Sequence, residues 1–368
     1  MSQVSLMRFL SLTILLISVF ILLSSTSNSR LPKTVKLTAT AFNKTTILNL
    51  ADLEKVLLER KATQFILGKS QKGRNVEAYF FPGTSNKRAL ILGGIHGSEL
   101  SSIEVAKALL QLLKKGDSIF YNVIIVPSLF PDNAVKAREN ILELGSEKNI
   151  GRYTYSGAVD PNRQMPSPGK AFDEEECLDH AGRKIENENT LLLELISQYR
   201  PQRMVSLHAI RNTDNAGIFA DPRTDHNGIA LGFDTDSSLA IAIAINIEQQ
   251  GGYAGGNRLN KKPTALYYKD PATVTKGLLQ KRNMTGASLA GYRGGGVSLG
   301  TWASTAVANE NDPAKNRDAI RILTIEFPGS KRPIDHIKVK QTFYQKQVGL
   351  YALALKNIFL GDYFSEED

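Results

Sequence analysis

Arg88-Ala89-Leu90-Ile91-Leu92-Gly93-Gly94-Ile95-His96-Gly97-Ser98-Glu99 is the stretch whose reading decides the fold. A short apolar run that ends in paired glycines reads as a buried strand. Beyond it, apolar residues fall at Ile103, Ala106, Leu109, Leu110 and Leu113, which is a helical period over Ser101 to Leu113. A strand running directly into a helix is the repeating unit of α/β folds. The same alternation recurs outward along the chain. Tyr121-Asn122-Val123-Ile124-Ile125-Val126 is a second buried strand, stopped by Pro127. Thr190 to Tyr199 has a helical period and ends before Pro201, and Arg203 to Leu207 and Arg321 to Ile325 are further strands. The expected fold class is therefore α/β, with a largely parallel or mixed sheet.

The chain has 368 residues, 42% hydrophobic and 22% charged, values that exclude disordered and fibrous classes for most of its length. No linker rich in Pro, Gly or Ser splits the body, so one catalytic domain is expected over residues 35–368. Residues 1–34 read differently. Arg8 precedes an apolar run from Phe9 to Leu23, and the polar stretch Ser24 to Ser29 follows. That is the pattern of an export signal, or, if uncleaved, of an N-terminal membrane anchor. Either way the body is expected outside the cytoplasm, in the periplasm or associated with the cell envelope.

The net charge of +9 suits contact with an anionic polymer or surface. No basic patch is interleaved with aromatics and no zinc-finger spacing occurs, so nucleic acid is not an expected partner. The single cysteine, Cys177, rules out an intrachain disulfide and a thiolate metal cluster. Its acidic neighbours Asp173 to Glu176 disfavour the thiolate, so it reads as a bystander.

His96 and Glu99 stand three residues apart where the first strand gives way to its helix. The spacing lets an imidazole nitrogen and a carboxylate converge on one ion; it equally describes a helix-capping cluster. His208, at the end of Val205-Ser206-Leu207-His208, adds a ligand from the C-terminal end of another strand, where open α/β sheets form their crevice. Two histidines and a glutamate leave a fourth position on zinc for water. Glu326 lies in the apolar run Leu323-Thr324-Ile325-Glu326, a costly place for a carboxylate unless it is paired or in use. A buried pair with Arg321 or Lys331 is the alternative to a catalytic role. Asn162 and Arg163, in Asp160-Pro161-Asn162-Arg163, offer an amide and a guanidinium suited to gripping a carboxylate. Arg138, after Pro131-Asp132-Asn133, is a candidate for polarising a carbonyl.

In this order, His-x-x-Glu, Pro-Asp-Asn, an arginine, Asp-x-Asn-Arg, Ser-x-His and a final Glu in an apolar strand resemble the zinc carboxypeptidase family. The resemblance runs from about Arg88 to Pro328. With Gly296 to Trp302 ahead of Ile325-Glu326-Phe327-Pro328, the chain is most similar to the bacterial murein tripeptide amidases, which cleave between γ-D-glutamate and diaminopimelate. The resemblance implies a three-layer α/β/α domain around a mixed, eight-stranded sheet. It also implies one zinc ion on His96, Glu99 and His208, Glu326 as the general base, Arg138 as the oxyanion residue, and Asn162 with Arg163 on the substrate's free carboxylate. The expected substrate is a peptide or a peptidoglycan stem peptide.

Two other readings share the motifs: an N-deacylase like the aspartoacylase and succinylglutamate desuccinylase branch, and a silent wall-peptide-binding protein. The export signal counts against the first and Glu326 against the second. Trp302 is followed by Ala303, Ser304 and Thr305, where digestive members of the family carry a tyrosine; Tyr292 is the nearby candidate to replace it. His180, His226 and His336 read as exposed or locally bonded, and Gly251 to Gly256 reads as a turn.

Overall fold

Along the central strands, successive side chains face opposite ways and are apolar on both sides. Ala89, Ile91, Val123, Ile125, Val205 and Leu207 join one buried cluster. Leu90, Leu92, Ile124, Val126 and Met204 join another on the opposite face. A sheet that is apolar on both faces must be covered twice, which makes three layers. The computed structural model describes residues 50–144, 148–154, 159–257, 259, 295–328 and 338–368. The expected leader, Tyr292, Lys331 and His336 lie outside the described residues.

The described residues form a seven-stranded mixed sheet in the order β1-β2-β4-β3-β5-β7-β6. Its strands are β1 (Thr63–Lys69), β2 (Asn75–Phe81), β3 (Arg88–Leu92), β4 (Asn122–Val126), β5 (Arg203–Ile210), β6 (Gly217–Ala220) and β7 (Arg321–Pro328). The middle strands β4, β3, β5 and β7 run parallel, and β1, β2 and β6 pair antiparallel at the flanks. The resemblance implies eight strands; seven are present among the described residues.

Helices α2 (Leu100–Lys114), α5 (Phe233–Gln249) and α7 (Lys338–Ala354) cover one face through Val105, Leu109, Leu239, Ile243 and Tyr351. Helices α1 (Leu53–Glu59), α4 (Asn187–Tyr199) and the short α6 (Leu299–Ala303) cover the other through Val56, Leu192, Leu195 and Trp302. A further helix, α3 (Pro131–Glu139), starts at a proline placed where a helix tolerates it. No helix among the described residues is long and apolar enough to cross a membrane.

The strands carrying His208 and Glu326 extend three residues further than their apolar runs suggest, to Ile210 and Pro328. The two residues are therefore paired within the sheet, His208 opposite Glu326, rather than hanging from strand ends.

Candidate active site

Glu99 occupies the N-cap position of α2, yet its side chain makes no capping hydrogen bond. This decides against a capping role for the His96-x-x-Glu99 pair. The carboxylate instead turns to the crevice, with Oε1 3.0 Å from His96 Nδ1 and Oε2 3.0 Å from His208 Nδ1. The loop can pass here because Gly97 packs directly against Asn133 and Ala134 at the start of α3, where any side chain would collide with backbone. All three residues are at least 96% buried.

Asp160 stands behind His96. Its Oδ1 lies 2.8 Å from His96 Nε2 and accepts the Asn162 backbone N–H, capping the 3-10 turn Pro161–Arg163. A carboxylate on the far nitrogen fixes the ring's orientation and leaves Nδ1 for an ion. Arg152 ties the two acids together, donating from Nη1 to Glu99 at 3.0 Å and from Nη2 to Asp160 at 3.2 Å.

The electrostatics follow from this packing. Burial works against ionised Glu99, but the His96 charge and hydrogen bonds from both histidines outweigh it and hold the carboxyl well below its ordinary range. Burial likewise opposes charged His96, and Glu99 and Asp160 outweigh it, raising the imidazole. Glu326 behaves oppositely: burial pushes its carboxyl up, and the nearby histidines offset this only in part.

The donor set fits zinc. One atom from each of His96, Glu99 and His208 lies within 4.8 Å of the others. Ligands at about 2.1 Å around a tetrahedral ion stand roughly 3.4 Å apart, so small shifts would bring all three onto one ion. Nitrogen and oxygen donors in a two-histidine, one-carboxylate set match zinc's preference and leave a position open.

A cleft of about 510 Å³ opens over these residues, lined also by Asn162, Arg163, Arg211, Ser298, Thr324 and Glu326. Asn162 is held by the Leu299 backbone N–H on its Oδ1 at 3.0 Å. Arg163 donates to the Asn162 carbonyl at 2.7 Å. The structure thus brings six residues singled out in the sequence to one cleft. It does not bring Arg138: that residue is exposed on α3 and does not line the cleft. An arginine that the sequence did not single out, Arg152, does line the cleft; it lies in the irregular Gly151-Arg152-Tyr153 segment and has no periodicity to reveal it.

The structural neighbours are carboxypeptidase-like folds. Carboxypeptidase A from Helicoverpa armigera is 16% identical, with a TM-score of 0.47 over 84% of this chain and 73% of that one. Murein-tripeptide amidase from Escherichia coli O157 is 18% identical, with a TM-score of 0.38 over 78% and 91%. A protein of the succinylglutamate desuccinylase/aspartoacylase family from Shewanella amazonensis SB2B is 14% identical, with a TM-score of 0.40 over 82% and 73%. No protein-family model and no curated protein matches the sequence. At these values the functional reading rests on the cleft itself.

Among the described residues the two remaining histidines are bonded away from it, His180 to Ser167 Oγ and exposed His226 to Asn227. Arg321 pairs with Asp236 and Asp368, so it does not answer for Glu326. The Gly251 to Gly256 segment runs into a short 3-10 turn whose Asn257 bonds both backbone groups of Ile218.

The Pro161–Arg163 turn is braced from outside. Arg183 donates through Nη2 to the Arg163 and Gly295 carbonyls, at 2.8 Å each, and its Nε bonds Asp179 at 2.7 Å. Gly296 has φ +123°, and a side chain there would strike the Arg163 carbonyl. Gly296→Ala is expected to displace Arg163 with a strain of about 1–3 kcal/mol. The expected readout is a KM raised roughly tenfold or more for substrates ending in a carboxylate, with zinc content unchanged. An unchanged KM would show that Gly296 does not set the position of Arg163.

Proposed function

We propose that the chain is a zinc-dependent amidase or carboxypeptidase that hydrolyses a peptide-type amide next to a free carboxylate, in peptidoglycan stem peptides outside the cytoplasm. The observation that carries this is the convergence of His96, Glu99 and His208, backed by Asp160, with Glu326 paired beside His208 and Arg163 in the same cleft.

His96, Glu99 and His208 would hold the metal. Bound zinc supplies Lewis acidity and makes water nucleophilic near neutral pH. Glu326, held in a partly buried position that favours its protonated form more than water does, is placed to take a proton and return it to the departing amine. Arg152, fixed by two carboxylates, brings into the cleft the positive charge expected of Arg138 and would stabilise negative charge developing on the carbonyl oxygen. Asn162 and Arg163 would orient the substrate through its carboxylate. Export is supported by the Phe9 to Leu23 run and the envelope setting by the substrate class.

Mass spectrometry of a muropeptide digest, with and without chelator, tests the reading. Chelator-sensitive release of a diaminopimelate-containing fragment is the expected result. Loss of a single terminal residue would make the activity a carboxypeptidase, and an unaltered digest would overturn the wall-peptide assignment.

A further inference from the structure

A second pocket, of about 850 Å³, opens at the other end of β5 and β7 from the metal cleft. The cleft takes its lining from His208 to Arg211 and from Thr324 and Glu326, towards the C-terminal ends of these strands. The second pocket is lined by Gln202, just before β5, and by Arg317 to Ala319, just before β7. Along β5 roughly 16 Å of strand separates Arg203 from His208. Among the described residues the two sites share no lining side chain.

Three arginines line this pocket, and their commitments differ. Arg317 spends both terminal nitrogens on the carbonyls of Trp302, Ala303, Thr305 and Asp318, and lies over the Trp302 ring. Arg200 donates from one terminal nitrogen to the Ala314 carbonyl. Arg223 bonds Asp236 through Nε at 2.8 Å, while its Nη1 and Nη2 make no hydrogen bond among the described residues. The Arg223 side chain is only 12% exposed, and Asp236 is shared with Arg321. A guanidinium this deep is costly unless its charge is answered. One shared carboxylate answers it in part and leaves the two-pronged end of Arg223 open.

The rest of the lining says what would complete it. Pro201, Leu231, Ala306, Val307 and Ala319 give the pocket an apolar wall. Asp225 and Asp318 line it too, and they repel a doubly charged anion such as phosphate more than a single carboxylate. A carboxylate also matches the planar pair of nitrogens that Arg223 leaves open. We propose that this pocket is a second ligand site, for a small organic monocarboxylate with an aliphatic body, whose carboxylate pairs with Nη1 and Nη2 of Arg223. The proposal is independent of which bond the metal cleft cuts.

Calorimetric titration of the full zinc-loaded chain with hexanoate tests this, with hexanamide and inorganic phosphate as comparisons. Hexanoate is expected to bind about tenfold more tightly than either, or better. The metal and Arg163 can also draw a carboxylate, so the titration is repeated with chelator and on Arg163→Gln. Neither is expected to move the hexanoate affinity by more than about twofold, because the two sites lie far apart. Arg223→Gln should weaken hexanoate about tenfold or more. That change also takes a partner from buried Asp236, so the second variant is Leu231→Asp, at an exposed position on the pocket's apolar wall. It should weaken hexanoate by a similar factor. The proposal is overturned if hexanoate does not bind, if hexanamide or phosphate binds as tightly, or if the affinity follows Arg163 or the chelator rather than Arg223 and Leu231.

Discussion

Glu326→Gln is expected to keep zinc bound and to lower kcat by about 10²–10⁴-fold, the range for loss of a positioned general base. Glu326 is not among the three residues whose donor atoms converge, so its loss leaves the candidate ligand set whole. Glutamine matches its size and can still donate and accept hydrogen bonds in the partly buried position beside His208, so the sheet register is not threatened. What the amide cannot do is take up a proton. His96→Ala makes the contrast: it removes a candidate ligand and takes from Glu99 and Asp160 the imidazole that bonds both, so zinc content and turnover should fall together. Metal analysis on the same preparations used for kinetics separates the two cases. Full turnover by Glu326→Gln would show that another group moves the proton, and full turnover by metal-free His96→Ala would sink the zinc centre altogether.

The legible parts of the fold were those in which one physical force acts alone. β3 and β4 are buried on both faces, so continuous apolar runs reveal them. β1, β2 and β6 carry no such continuous run. Thr63–Lys69 alternates half-buried and buried positions and includes Gly68, and Asn75–Phe81 mixes exposed Asn75 and Glu77 with core residues. β6 has only four residues and is recognisable through its pairing with β7, a long-range contact.

The cleft divides in the same way. His96, Glu99, His208 and Glu326 could be read because each stands at or near the end of an apolar run, where a polar residue needs a reason. Asn162 and Arg163 could be read as a chemically apt pair. Arg152 and Arg138 are equally plain arginines in sequence. Only the path of the chain after α3 decides that the first enters the crevice while the second faces solvent. Asp160 was visible as part of a motif, but its hold on His96 spans 64 positions and appears only in three dimensions.

Asp236→Ala is expected to destabilise the fold by about 3–5 kcal/mol, the cost of stranding a buried charge. The strands that meet at the cleft through His208 and Glu326 begin together at Arg203 and Arg321, a pair in register roughly 16 Å away along the strands. Both arginine side chains are fully buried. Asp236, in the first turn of α5, bonds Arg321 Nε at 2.7 Å and Arg223 Nε at 2.8 Å, while Asp368 pairs with both Arg203 and Arg321 at 2.7 Å. The helix terminus adds its own preference for the negative charge. Alanine would remove the acceptor from two guanidinium groups and leave Arg321 to its other partners, Asp368 and the Phe364 carbonyl among them. Asp236→Asn keeps the shape and one acceptor oxygen, so it should cost less than alanine. Urea unfolding followed by circular dichroism measures both. Zinc content of the folded fraction should stay near that of the parent, because no ligand is touched. A shift of less than about 1 kcal/mol for Asp236→Ala would mean that Arg321 finds water or another acceptor. The floor of the sheet would then be held by apolar packing against Leu239 and Ile243 rather than by its ions.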